Sequence, residues 1–347
     1  MRRFCIPSSS VPMSQKNNKR FVLLLGLTVC GAFLSMWFAT GVGEGRYRLQ
    51  DSLSLFSSTS SLSSTEYTIL FKIRLPRVVL SFLVGGGLAV CGAVLQGIFQ
   101  NPLVDPYVLG VSSGAALGAV IAILSGVYLG LLTVPLFAFL FATLTSFLVL
   151  RLSVVGKKIP LEVLLLAGIA VGFFLSAFIS LGMFIAGENL HQVVFWTMGG
   201  FWGRGWLEVK MVLPFLSGGL LVLSLFTREL NTFLLGEKVS RSLGVDVERV
   251  KKWLMLAVSL VVASCVSVSG IIGFVGLLVP HILRLFGYQD HRFLLPLSFL
   301  SGGVVLLLAD TLARTVLHPV ELPVGIVTSI LGSPFFIYLL RKKKREL

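Results

Sequence analysis

The strongest constraint on the fold of this chain is a series of apolar runs, each near 20 residues, that recurs along almost its whole length. A helix of about 20 apolar residues crosses roughly 30 Å of hydrocarbon. Only 13% of the 347 residues are charged, whereas ordinary globular domains have about 25%. The pattern predicts an all-α polytopic membrane protein.

The apolar runs predict ten transmembrane helices. Their ranges are 21–40, 75–99, 108–125, 129–150, 162–186, 207–227, 253–270, 273–287, 293–313 and 322–340. The first run is longer than a signal-peptide core and lacks an Ala-x-Ala site, so we interpret it as a retained helix. The helices form a single transmembrane domain, 21–340, between a polar N-terminal tail, 1–20, and a basic tail, 341–347.

The distribution of Lys and Arg predicts the orientation. Ten spans put both termini on one side, and cytoplasmic segments carry an excess of basic residues. With both termini in the cytoplasm, 21 of the 29 basic residues lie inside and eight lie outside. The net charge of +14 is spread over short loops and tails. It therefore indicates membrane orientation and a lipid bilayer as partner, and no nucleic-acid partner.

Three predicted segments lie outside the membrane. Residues 41–66 form a Ser-rich outer loop to which we assign no role. Residues 187–206 are outside and rich in Trp, which favours anchoring at the membrane surface. Residues 228–252 form the largest inner loop and mix charged with apolar residues. This loop is either a surface for a partner protein or a solvated charged loop.

Residues 74–114 have an unusual polar pattern for a membrane segment. Arg74 and Arg77 flank a proline at the outer end of a glycine-rich apolar run. They are either ordinary interfacial arginines or a docking pair for carboxylates of an external protein. The run ends at Asn101-Pro-Leu-Val-Asp-Pro106, and apolar sequence resumes almost at once. Such a turn at membrane depth requires burial in protein or a position lining a cavity.

Several motifs bear on whether the chain carries out catalysis or binds nucleotide. Gly110-Val-Ser-Ser-Gly114 matches a nucleophile elbow, but it opens a helix and lacks the strand that such an elbow requires, which favours small-residue helix packing. No phosphate-binding Gly-x-x-x-x-Gly-Lys-[Ser/Thr] loop occurs, so any ATP hydrolysis belongs to another subunit. Asp310 precedes Arg314 by four residues, which predicts an ion pair on one helix. We predict no catalytic residue.

The four cysteines show no disulfide or metal-site pattern. They are Cys5, Cys30, Cys91 and Cys265, and no two of them form a Cys-x-x-Cys pair. Three lie in apolar runs, where the favoured interpretation is a small buried apolar residue. We predict no metal site in the chain.

The motifs together resemble the permease family of binding-protein-dependent ABC importers for iron–siderophore complexes, haem and cobalamin, the type II importers. The similarity extends from about residue 21 to 340. The matching motifs are Arg74-Leu-Pro-Arg77, Gly92-Ala-Val-Leu-Gln96, Asn101-Pro-Leu-Val-Asp-Pro106, Leu109-Gly-Val-Ser-Ser-Gly-Ala115, Gly236–Gly244, Gly270-Ile-Ile-Gly-Phe-Val-Gly276, Pro280-His-Ile-Leu-Arg284, Asp290-His-Arg292, Ala309-Asp310, Ala313-Arg314 and Glu321-Leu-Pro-Val-Gly325.

The resemblance implies a type II ABC importer permease fold and a set of partners. These are a second copy of the chain, two cytoplasmic ATP-binding subunits that use ATP-Mg, and an extracytoplasmic substrate-binding protein. It implies the cytoplasmic (inner) membrane of a prokaryote, and no cofactor bound by this chain. The implied cargo is a metal chelate, with iron–siderophore the first expectation and haem or cobalamin the alternatives.

The resemblance also implies roles for individual residues. Arg74, Arg77 and Arg314 would form salt bridges to glutamates of the binding protein. Asn101 and Leu103 would lie at the cytoplasmic gate. The segment 236–244 would seat in the ATPase, and the residues expected to carry coupling are Gly236, Ser240, Arg241, Leu243 and Gly244. The family usually has Ala at the position of Ser240, and the exchange keeps a small side chain.

Two other classes of function remain as alternatives. An ion-coupled secondary transporter would work without an ATPase and would need ionisable groups near the middle of the membrane. An intramembrane enzyme would need a convergent polar constellation, and the sequence shows none. Co-purification of an ATPase subunit distinguishes the importer from both.

Overall fold

The computed structural model of the chain describes residues 15–42, 64–127, 129–317 and 319–345. Within these ranges it contains helices and isolated β-bridges but no strand. Most of the predicted N-terminal tail and outer loop, the last two residues and Cys5 lie outside the described residues.

Helices account for most of the described chain. The α-helices are α1 (Gln15–Gly41), α2 (Ser64–Thr68), α3 (Leu75–Phe99), α4 (Val111–Leu124), α5 (Thr133–Leu152), α6 (Leu161–Ile185), α7 (Leu190–Met198), α8 (Trp206–Leu225), α9 (Thr227–Phe233), α10 (Glu237–Ser242), α11 (Val247–Ser269), α12 (Val275–Leu285), α13 (His291–Ala313) and α14 (Val324–Arg345). A π-helical segment, Ile69–Arg74, joins α2 to α3, and 3-10 turns occupy Pro106–Leu109 and Gly187–Asn189.

The membrane-spanning pattern agrees with the sequence. Seven helical stretches of the described chain are long and apolar enough to cross a membrane, and α4, α12 and α14 are shorter apolar helices. These ten elements lie where the ten spans were predicted, including the short eighth helix with its internal Pro280. The predicted all-α polytopic fold is confirmed, and the chain is an integral membrane protein.

One helix boundary and one additional helix differ from the prediction for physical reasons. Helix α11 begins at Val247 rather than at 253, because the Asp246 side chain caps it by accepting the Arg249 N–H at 3.2 Å. Its first two turns are charged, so an apolar run does not reveal them. The outer segment 187–206 also contains a helix, α7, which its mixed composition did not predict.

Helix α3 is the centre of the molecule and is buried along almost all of its length. Helices α8, α11, α12 and α13 pack around it. Glycines make these approaches close: a Cβ added at Gly85 would lie 2.3 Å from the Gly302 carbonyl oxygen on α13. At Gly92 it would lie 1.7 Å from the Gly276 carbonyl oxygen on α12. Small residues therefore set the helix spacing, as the glycine-rich run predicted.

The peripheral helices expose apolar side chains. Phe173, Phe174 and Phe184 of α6 are 62% or more exposed, which suits contact with lipid. Helix α1 is also largely exposed, and it carries the exposed Cys30. The expectation of burial is wrong for Cys30, because that face of α1 has no helix packed on it; Cys91 and Cys265 are buried as predicted.

Candidate docking, gate and coupling sites

The predicted docking arginines lie together where α1, α3 and α13 meet. Arg77, in the first turn of α3, makes a bidentate contact with Asp310 of α13, with Arg77 Nη2 2.9 Å from Asp310 Oδ1. Its Nη1 donates to the Glu321 carboxylate at 3.0 Å. One guanidinium thus holds two carboxylates from different parts of the chain, in the planar geometry that favours Arg.

The other two arginines fasten the end of α1. Arg314 Nη2 donates to the Ala39 carbonyl at 2.6 Å, and Arg74 Nη1 donates to the Thr40 carbonyl at 3.3 Å. The last carbonyls of a helix lack partners within the helix, so cations are favoured there. Arg314 Nε also lies 3.8 Å from Asp310 Oδ2, which is the i,i+4 ion pair that the sequence predicted.

We call these five residues the outer arginine cluster: Arg74, Arg77, Asp310, Arg314 and Glu321. The arginines were expected as exposed cations at a membrane mouth, but Arg74 and Arg314 are buried and Arg77 is nearly so. Asp310 is fully buried, and Glu321 remains 31% exposed. The contacts of Arg77 cross more than 230 residues of sequence, and no local pattern predicts them. Docking to a binding protein stays a prediction.

The predicted gate residues lie on an exposed turn between α3 and α4, residues 100–105, which we call the gate turn. Gln100 ends α3 in a left-handed conformation with φ of 51°. Asn101 is exposed and accepts the Leu103 N–H at 3.0 Å, and Leu103 is 42% exposed. This side-chain turn fixes the shape of the loop without burying its tip. The gate role of Asn101 and Leu103 stays a prediction.

The end of the turn is held by hydrogen bonds to Tyr107 and, through Tyr107, to the segment before α12. Asp105 accepts the Tyr107 N–H at 2.9 Å, and the Tyr107 hydroxyl donates to the Ile272 carbonyl at 2.8 Å before α12. Burial raises the pKa of Asp105 to about 6, while the hydrogen bond from Tyr107 acts in the opposite direction. These contacts connect the turn to the segment that leads into α12.

The predicted coupling segment, 236–244, contains the short helix α10 between two glycines of positive φ. Gly236 has φ of 102° and Gly244 has φ of 84°, values that glycine adopts without a Cβ penalty. Ser240 is fully buried, and its hydroxyl donates to the Gly236 carbonyl at 3.0 Å. Leu243 is 57% exposed at the tip. The segment is folded within the chain and presents an apolar end.

Charged side chains hold α10 against α11. The buried Lys251 of α11 pairs with Glu237 and donates to the Ile159 carbonyl at 3.4 Å. Glu248 accepts from Arg241 at 2.6 Å and from the Ile159 N–H at 2.8 Å. The sequence predicted a single loop, 228–252, for the four charged residues and did not predict the contacts that hold α10 against α11. The first turns of α11 have apolar residues between the charged ones, and this spacing could have indicated that the helix begins before residue 253.

The gate turn and the start of the coupling segment meet at the Phe233 carbonyl, at the end of α9. This carbonyl accepts from the Gln100 side chain and from the Gly236 N–H, the latter at 2.9 Å. A Cβ added at Gly236 would lie 4.0 Å from the same Gln100 nitrogen. Movement of α10 would therefore reach the end of α3 directly, whereas the outer arginine cluster lies at the opposite end of α3.

The described residues contain no cluster of metal ligands, and the Gly110–Gly114 motif lies in a helix contact. Within them no three His, Cys, Asp or Glu side chains gather as a metal site requires. The Gly110–Gly114 motif packs instead: a Cβ added at Gly114 would lie 2.4 Å from Thr145 Oγ1 of α5. Its small residues allow α4 and α5 to approach.

Comparison with known proteins gives matches over most of the chain. The model of the FecCD transport family matches residues 29–342. The chain is 46% identical over 281 residues to the uncharacterized ABC transporter permease YvrB of Bacillus subtilis, covering 80% of each. It is 45% identical over 282 residues to a cobalamin import system permease of Halobacterium salinarum, covering 81% of this chain and 75% of the relative. It is 34% identical over 334 residues to the Fe(3+)-citrate import permease YfmE of B. subtilis, covering 96% and 100%.

Solved structures support the same fold. An inward-facing metal-chelate type ABC transporter superposes with a TM-score of 0.80 at 34% identity, covering 92% of this chain and 99% of that one. PsaBC of Streptococcus pneumoniae, solved with a Fab, superposes with a TM-score of 0.52 at 17% identity, which supports the fold alone.

Proposed function

The chain belongs to the FecCD transport family, and we propose that it is the membrane-spanning subunit of an ATP-driven importer of metal chelates. The observation that carries this proposal is the coupling segment. It is an exposed apolar tip on a helix clamped by Lys251 and Glu237, and its start meets the gate turn at the Phe233 carbonyl. Such an element can pass a movement of a partner protein to the end of the central helix.

The partners follow from this role. Two cytoplasmic ATP-binding subunits would seat the coupling segments of two copies of the chain. An extracytoplasmic binding protein would deliver the cargo, and both termini would lie in the cytoplasm. The chain itself would bind no cofactor, since ATP-Mg would be used by the partner.

We propose an iron–siderophore complex as the cargo. Relatives named for Fe(3+)-citrate and for cobalamin import both match most of this chain. They support a bulky metal chelate and leave haem and cobalamin as alternatives within the same family.

Docking of the binding protein would involve the outer arginine cluster. A glutamate from outside would compete with Glu321, which is the more exposed of the two acids, for the Arg77 guanidinium. Docking would then exchange one ion pair for another, and its net gain would be modest.

The function is tested by purification and uptake. The tagged full-length chain, purified from its native membranes, is expected to carry an ATP-binding subunit in equal amount. Cells lacking the chain should lose uptake of a 55Fe-loaded siderophore and keep uptake of 57Co-cobalamin. Loss of cobalamin uptake alone would identify cobalamin, rather than an iron–siderophore complex, as the cargo. If no ATP-binding subunit co-purifies and the chain still supports uptake, the proposal of an ATP-driven importer is contradicted.

A further inference from the structure

A cavity of about 530 Å³ lies beside the coupling segment, where α5, the connection after it and the start of α11 meet. Its apolar wall includes Phe147, Leu150 and Leu256. Its rim carries four cations, which are Arg151, Lys157, Arg249 and Lys252. Because α5 ends here and α11 begins here, the cavity lies at the ends of two membrane spans.

The four rim cations have no carboxylate within 4.0 Å among the described residues. The two acids of the lining are engaged elsewhere. Asp246 accepts the Arg249 backbone N–H as the helix cap, and Glu248 accepts from Ile159 and Arg241. Four cations against two carboxylates leave the lining of the cavity with a net positive charge.

We propose that this cavity binds an anionic phospholipid, with its phosphate on the cationic rim and the start of an acyl chain along the apolar wall. Phe147 is 61% exposed and continues the wall onto the outer surface of α5, in the direction that an acyl chain would take. Basic pockets between spans at the cytoplasmic surface suit anionic lipid headgroups. The volume falls within the range of ordinary ligand sites.

The site lies next to the contacts of Lys251 and Glu248 that hold α10 against α11. Ile159 lines the cavity, and its backbone contacts both Lys251 and Glu248. A lipid phosphate held by Arg249 and Lys252 would order the same two turns of α11 that hold α10. The site would be occupied whichever cargo the protein moves, because none of the residues predicted for docking, for the gate or for coupling lines it.

The test is lipid binding to the purified full-length chain by native mass spectrometry. The probes are phosphatidylglycerol and phosphatidylcholine of equal chain length. The variant is Arg249→Gln with Lys252→Gln. The matched control is Lys158→Gln with Arg228→Gln, two exposed cations outside the cavity that carry the same charge change. Each cation near a lipid headgroup contributes about fivefold, so two removed cations should give roughly thirtyfold weaker phosphatidylglycerol binding in the variant.

The control should keep the preference of the unmodified chain for phosphatidylglycerol. Equal losses in the variant and the control would assign the effect to general surface charge and overturn the proposal. Competition by inorganic phosphate at the concentration of the lipid would indicate a small-anion site and would also overturn it. Unchanged binding in a folded variant, judged by its melting temperature, would contradict it directly.

Discussion

At the scale of single residues, the central feature is one buried carboxylate shared by two arginines. Asp310 is fully buried and contacts Arg77 at 2.9 Å and Arg314 at 3.8 Å. A buried charge is tolerated when it is paired and hydrogen-bonded, and removing one partner leaves the others uncompensated. The sequence predicted the local half of this pairing. It could not predict Arg77, because that contact depends on how α3 and α13 pack.

The substitution Asp310→Asn should destabilise the protein by about 3–5 kcal/mol, since it removes the buried negative charge that pairs with both Arg77 and Arg314. The matched control Glu321→Gln removes a partly exposed partner and should cost about 1 kcal/mol or less. Thermal unfolding in mild detergent measures both. Equal shifts in the melting temperature of the two variants would show that burial of Asp310 does not determine its contribution to stability.

At the scale of elements, glycines on α3 determine how closely the surrounding helices approach. The clearest case is Gly92, where an added methyl group would meet the Gly276 carbonyl oxygen at 1.7 Å. Backbone atoms cannot move aside as a flexible side chain can, so α12 would have to shift as a unit. Crowding of this kind can be predicted in general from a glycine-rich apolar run, but the contacting pairs cannot.

The substitution Gly92→Ala should therefore destabilise the protein by roughly 1–3 kcal/mol through overpacking. Gly218 of α8 is the matched control, because a Cβ there has nothing within 4 Å. Gly218→Ala should leave stability unchanged or raise it by up to about 1 kcal/mol from helix propensity. A stable Gly92→Ala protein would mean that α3 and α12 pack less closely than described. The measurement is again thermal unfolding.

The coupling segment gives a second prediction at this scale. Leu243 is exposed and makes no contribution to the core, so Leu243→Glu should leave folding intact. It should uncouple ATP hydrolysis by the partner from cargo uptake, because a charge replaces the apolar tip. Both rates can be measured on the reconstituted complex, with Leu243→Met as the conservative control. If ATP hydrolysis and uptake remain coupled in the Leu243→Glu variant, Leu243 does not lie at the interface with the ATP-binding subunit.

Sequence and structure agree best for the long apolar helices and least where charge and apolar residues mix. The run 21–40 and its successors identify spans by length alone. The start of α11 and the helix α7 were missed, since polar residues interrupt their apolar residues and no long apolar run marks them. The Lys251–Glu237 pair was missed because it joins two helices that the sequence placed in one loop. Motif similarity located the candidate sites, and only the fold showed that the gate turn meets the start of the coupling segment.

At the scale of the whole molecule, α3 connects the outer arginine cluster with the gate turn. The cluster surrounds the first turn of α3, and Gln100 at the other end contacts the Phe233 carbonyl, just before the coupling segment. Because α3 is buried along almost all of its length, we propose that the two sites influence one another through it.

Neutralising Glu321 tests the outer end. The substitution Glu321→Gln removes one of the two carboxylates that Arg77 binds and makes this face of the protein more positive. Association with the binding protein should become faster and more sensitive to salt, since steering of this kind acts on the on-rate. Glu188→Gln, at an exposed position of the predicted outer segment, is the control with the same charge change. Equal effects in both variants would mean that only net charge matters.

The most direct test of the account is the energy source of transport. Proteoliposomes containing this chain and its ATP-binding partner should take up the metal chelate only with ATP inside the compartment where the coupling segment lies. Uptake should stop when the phosphate-binding Lys of the partner is replaced, while the chain alone should turn over no ATP. Uptake that persists without ATP and follows an imposed ion gradient would contradict the account.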